Sequence, residues 1–105
     1  MSSLRHYEIL LPLKFNDGQP VPWEIVGDTL KELRQRFGAV SFESQTIVGI
    51  WQFQGIEYRD ELVRVFVDVE EEPENREFFK TYKEQLKSRF RQHEIWMTAH
   101  SIDAI

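Results

Sequence analysis

Two histidines and one glutamate are the groups in this sequence whose types and spacing best suit acid–base or ligand chemistry. His6 and Glu8 are two residues apart in a stretch, 4–13, that alternates like a β-strand, so both side chains leave the same face. His100 belongs to a second alternating stretch, 94–102, in which Ile95, Met97 and Ala99 interleave with Trp96, Thr98 and His100. If the two strands are antiparallel neighbours, the start of one meets the end of the other, and His100 comes to lie across from His6. Two imidazoles and a carboxylate are a ligand set for iron or zinc, and equally an acid–base set. His6, Glu8 and His100 are therefore the catalytic candidates. No metal-spacing motif within one element accompanies them, and the sequence assigns neither a metal nor a cofactor.

Other chemistries are excluded outright. The chain has no cysteine, which removes thiol nucleophiles, zinc–thiolate sites and disulfides. Its five glycines are widely separated, and none belongs to a phosphate loop, a nucleophile elbow or a dinucleotide fingerprint. A formal net charge of −5 argues against a nucleic-acid partner, because phosphate contacts need a basic surface. No apolar run approaches the ~18 residues of a membrane span, and the N-terminus turns into a strand without a leader's apolar segment; the expectation is a cytoplasmic protein without a membrane partner.

The elements that must hold these residues start from 62–69, the most regular strand. Val63, Val65, Val67 and Val69 point one way, while Leu62, Arg64, Phe66 and Asp68 point the other. A partner strand over 46–53, led in by an extended segment from Val40 and Phe42 that is kinked near Ser44-Gln45, folds back onto it at Gln54-Gly55. A two-residue turn there sets Phe53 opposite Ile56 and Trp51 opposite Tyr58, while a bulge at 59–61 would change the faces. Val26, Leu30, Leu33 and Phe37 follow helical spacing from Pro22 or Trp23 to the Gly38 stop, and Trp23 is expected to pack on the Pro20 to Pro22 approach. A second helix runs from the acidic segment at 70–74 to about Gln92, with Phe79, Tyr82, Leu86 and Phe90 as its buried stripe and His93 capping its end.

Strand, helix, strand, strand, helix, strand is the split βαβ order. The fold class is α+β: a ferredoxin-like βαββαβ two-layer sandwich over 1–105 as a single domain. Right-handed crossovers give the spatial order fourth, first, third, second, with both helices on one face of an antiparallel four-stranded sheet. The opposite face is open. It carries Glu8 and Leu10, Arg64, Phe66 and Asp68, and Trp96, Thr98 and His100, with Trp51 as a further member. Leu10, Trp51, Arg64, Phe66, Trp96 and Thr98 are the expected binding surface, because contiguous aromatic patches mark interaction sites. Arg64 is expected in an ion network with Glu8 and Asp68. A homodimer is the expected occupant of the face, with a small-molecule or protein partner as the alternative.

The Phe37-Gly38 helix end, Gly49-Ile50-Trp51 before the Gly55 hairpin, Tyr58-Arg59-Asp60-Glu61 and the Pro73-Glu74-Asn75-Arg76 helix start together resemble a group of small bacterial ferredoxin-like proteins. The likeness spans nearly the whole chain and brings no catalytic residues with it. The layout also resembles the dimeric α+β barrel proteins, in which two open sheets pack face to face. The sequence therefore reads as a non-enzymatic binding or regulatory module that self-associates through its open sheet. The alternative is a small-molecule enzyme of the dimeric α+β barrel type, monooxygenase-like or haem-handling.

Overall fold

A computed structural model describes residues 3–105; the first two residues of the N-terminal segment read above lie outside them. The order is β1 (Ser3–Pro12), α1 (Trp23–Phe37), β2 (Ser41–Phe53), β3 (Ile56–Glu70), α2 (Pro73–Arg89) and β4 (Met97–Asp103). The strands form one antiparallel sheet in the order β2-β3-β1-β4, the predicted ferredoxin-like arrangement.

Alternation builds the core as expected. Tyr7, Ile9 and Leu11 of β1 and the four valines of β3 are buried beneath Val26 and Leu33 of α1 and Phe79, Tyr82 and Leu86 of α2. Tyr7 stacks on Phe79 with ring centroids 3.9 Å apart, so strand and helix layers meet through aromatic faces. Between the helices, Arg89 forks onto Glu32 with bonds of 2.7 and 2.9 Å, and the Tyr82 hydroxyl donates to the same carboxylate at 2.8 Å. These bonds hold Glu32 below the usual carboxylate range, the Arg89 bond foremost, against the opposing effect of burial.

Element lengths force one feature of the shape. Fifteen residues of β3 extend about 45 Å, whereas the fifteen of α1 span only about 21 Å. The helices therefore cover one end of β3, and the β2–β3 hairpin runs on past them as an arm in a molecule 46 Å long. At its tip Gln54 and Gly55 take φ of 51° and 79°, the positive values a tight hairpin turn of the primed type requires.

The hairpin register is as predicted, with Trp51 paired to Tyr58 and Phe53 to Ile56. The irregularity falls on β2 at the expected kink near Ser44-Gln45, with none at 59–61: between Glu43↔Arg64 and Ile47↔Leu62, β2 advances four residues while β3 retreats two. Two extra residues preserve parity, so Glu43, Ile47 and Trp51 share one side.

Four local expectations need correction. The last strand begins at Met97 and not at 94, although Ile95 is still buried in the core. The second helix stops at Arg89 because Phe90 dives into the core and Arg91 adopts φ of 53°. His93 thus lies beyond the cap and does not close the helix. Trp23 is exposed and meets Phe42 of β2 edge-on, with centroids 6.4 Å apart, instead of folding back on the prolines.

Candidate functional site on the open sheet face

Strand register arranges the candidate residues in rows across the open face. One row is His100, His6 and Asp68; the next is Thr98, Glu8, Phe66 and Ser41; the third is Leu10, Arg64 and Glu43. The face thus brings His6, Glu8 and His100 together as expected. The His6 and His100 rings lie 4.9 Å apart, and Phe66 lies against His6 with ring centroids 5.2 Å apart.

Asp68 is the group that sequence reasoning misassigned. It bonds His6 Nδ1 at 2.6 Å, while Glu8 meets His6 Nε2 at 3.2 Å. Burial works to lower the His6 pKa, but the Asp68 bond and then the Glu8 bond outweigh it, and the net shift is upward. With each ring nitrogen engaged by a carboxylate, the imidazole presents no free nitrogen to a metal or a substrate in this arrangement. Among the described residues, no group of three or more His, Asp or Glu is arranged to hold a metal ion.

Arg64 takes Glu8 at 3.7 Å and Glu43 at 3.4 Å, not Asp68. The reason is register: Glu43 is directly opposite Arg64, whereas Asp68 is four residues along the same strand. The signal for His6–Asp68 was available, because antiparallel pairing of the first and third strands sets residue 6 opposite residue 68 once Tyr7 faces Val67.

The apolar surface is distributed differently from the charges. Phe66, near the middle of the face, and Leu10 are half-buried by their neighbours, whereas Thr98 is exposed. Trp96, 64% exposed, sits just ahead of β4 and accepts the Leu10 amide hydrogen through its carbonyl. Exposed large apolar groups gather on the arm: Trp51, Phe53, Ile56 and Tyr58 on the side continuous with the open face, and Val48 and Ile50 on the other. Trp51 stacks on Tyr58 at 4.4 Å and donates Nε1–H to Asp60 at 2.7 Å. β2 is also an edge strand, with one row of backbone groups free to pair. Phe53, Ile56, Val48 and Ile50 were not among the sequence candidates. Their signal was the mismatch between a long hairpin and two helices too short to cover it.

No protein-family model matches the chain, and no curated protein does. Solved structures do. A phage SAM lyase in complex with S-methyl-5'-thioadenosine is 19% identical, with 96% of this chain and 90% of that chain covered and a TM-score of 0.68. A divalent cation tolerance protein from Thermus thermophilus is 16% identical over 96% of this chain and 85% of its own, with a TM-score of 0.65. A phage SAM lyase in its apo state matches at 16% identity, covering 98% and 90%, with a TM-score of 0.53. At these identities the likeness is one of fold. No described helix is long and apolar enough to cross a membrane.

Proposed function

We propose that this chain is a non-enzymatic binding module that works as a homodimer, self-associating through its open sheet face and the arm that extends it. The observation that carries the reading is the run of exposed Trp51, Phe53, Ile56 and Tyr58 on an arm whose outer strand is an unpaired edge. A second copy satisfies both demands at once, covering the apolar side and pairing the edge. Standard interfaces bury about 800 Å² per partner around a few aromatic anchors, and the arm supplies those anchors. A bacterial origin and a cytoplasmic location belong to the same reading, the first drawn from the sequence resemblance. Net charge −5 speaks against nucleic acid as the partner.

The enzyme alternative draws support from the lyase likeness, since that protein holds a small molecule. Against it stands His6, engaged by carboxylates at both nitrogens.

Sedimentation of the full chain tests the reading. The parent is expected to run as a dimer. Phe53→Glu, on the arm, and Phe66→Glu, at the sheet centre, are each expected to run as folded monomers by circular dichroism. A parent that stays monomeric at about 200 µM, weaker than any stable interface of standard size, overturns it.

A further inference from the structure

The helix-covered side of the sheet is not filled evenly. Where β3 sets four valines beneath the helices, β4 offers Met97, Ala99 and Ser101, paired in turn with Ile9, Tyr7 and Arg5 of β1. The small side chains leave a cavity of about 240 Å³ between α2 and the β1–β4 edge. Its floor is apolar, formed by Tyr7, Phe79, Met97 and Ala99. Its walls are cationic: Arg5 from β1, and Arg76, Lys80 and Lys83 from α2. Those three recur at i, i+4 and i+7, which places them along one face of the helix.

The lining includes no carboxylate, in a chain with 18 acidic residues against 13 lysines and arginines. Acids that pair with the cations stand outside it. Glu71 meets Arg5 at 3.1 Å, Glu77 meets Lys80 at 3.3 Å and Glu94 meets Lys83 at 2.9 Å. All three carboxylates are well exposed, and exposed pairs of this kind exchange readily for another anion. Arg76 makes no ion pair among the described residues. Arg5, on the lining, has its Nε buried without a hydrogen-bond partner among them.

We propose that this cavity is a binding site for a small organic anion: one carboxylate or phosphate group on a single-ring or branched apolar body. The acid group sits among Arg5, Arg76 and Lys80, and the body lies on Tyr7, Phe79 and Ala99. The volume sets the size of the ligand, since it falls below the ~300–1,000 Å³ of sites for drug-sized molecules. The site is on the opposite side of the sheet from the self-association surface. Its test therefore stands whatever the association state of the chain.

Amide shifts of the ¹⁵N-labelled full chain, titrated with phenylacetate and with phenyl phosphate, read the site directly. Benzyl alcohol and benzylamine serve as uncharged and cationic matches. The expected result is saturation by at least one anion with a dissociation constant below about 1 mM, with shifts at Lys80, Met97 and Ala99. The tighter of the two anions identifies the acid group. Benzyl alcohol should bind about tenfold or more weaker, and the double variant Arg76→Gln, Lys80→Gln should lose about tenfold in anion affinity with its thermal midpoint unchanged. Ala99→Leu, which fills the floor, should abolish binding; the exposed double variant decides if that substitution disturbs the sheet. The proposal is overturned by failure of both anions to saturate at about 10 mM, by equal binding of benzyl alcohol, by unchanged affinity in the double variant, or by shifts confined to the open face.

Discussion

β3 is one strand with two fates. From Val63 to Val69 its alternate residues are no more than 5% exposed, pressed under two helices. From Ile56 to Tyr58 the apolar groups stand on the other side of the strand and in solvent, with Ile56 56% exposed. Local sequence marks the change, since the side that carries valine from 63 to 69 carries Glu57, Arg59 and Glu61 on the arm. What separates them is whether the chain supplies a second layer. Burial within the body stabilises the fold at roughly 25 cal/mol per Å² of apolar surface, while the arm's apolar surface contributes that only when something else covers it.

The largest expected effect breaks this comparison if it fails. Val65→Asp puts an unpaired carboxylate beneath both helices, a cost of several kcal/mol against a typical total of about 5–15. The expected product is unfolded or insoluble. Ile50→Asp, the matching change on the arm, is expected to stay within about 0.5 kcal/mol of the parent in urea unfolding. Equal damage from both substitutions would mean that the arm is part of the core.

That contrast also explains what the sequence disclosed. The valine alternation, the Gly38 stop and the Gln54-Gly55 turn each rest on local chemistry, and strand order, faces and register followed from them. Of the candidate site, the co-location of His6, Glu8 and His100 was legible because it needs only parity and strand order. The Asp68 partner was not read, because an ion pair depends on row as well as face. Trp23 was misplaced because its partner, Phe42, is a neighbour only after β2 has been docked.

Polar links sharpen the comparison at a smaller scale. Glu32→Ala removes the acceptor shared by Arg89 and Tyr82, leaving a mostly buried guanidinium without its fork. A loss of about 1–3 kcal/mol is expected by urea unfolding. Asp60→Ala removes the acceptor of Trp51 on the arm, where water replaces it, and less than about 1 kcal/mol is expected. A reversed order would show that the arm is locked by its own hydrogen bond instead of being held by a partner.

The smallest effect concerns His6, which stands between body and surface. Its partners are exposed enough for solvent to screen them, with Asp68 44% and Glu8 31% open, so the contribution stays below about 1 kcal/mol. Its sign is nevertheless fixed. The folded-state pKa lies above the ordinary 6.5, so folding favours the protonated ring. The contribution is full below pH 6.5 and is lost as pH rises through the raised folded value. His100 lies beside the ring and Arg64 on the far side of Glu8, but Asp68 and Glu8 hold the nearer positions. The thermal midpoint of the parent should therefore exceed that of His6→Gln most at about pH 6, and the difference should shrink towards about pH 9. A difference that stays constant across that range would show that His6 does not titrate in the folded chain. Repeating the comparison in Phe53→Glu separates the two regions: a pH dependence that survives there belongs to the body, and one that vanishes belongs to the self-association proposed for the arm.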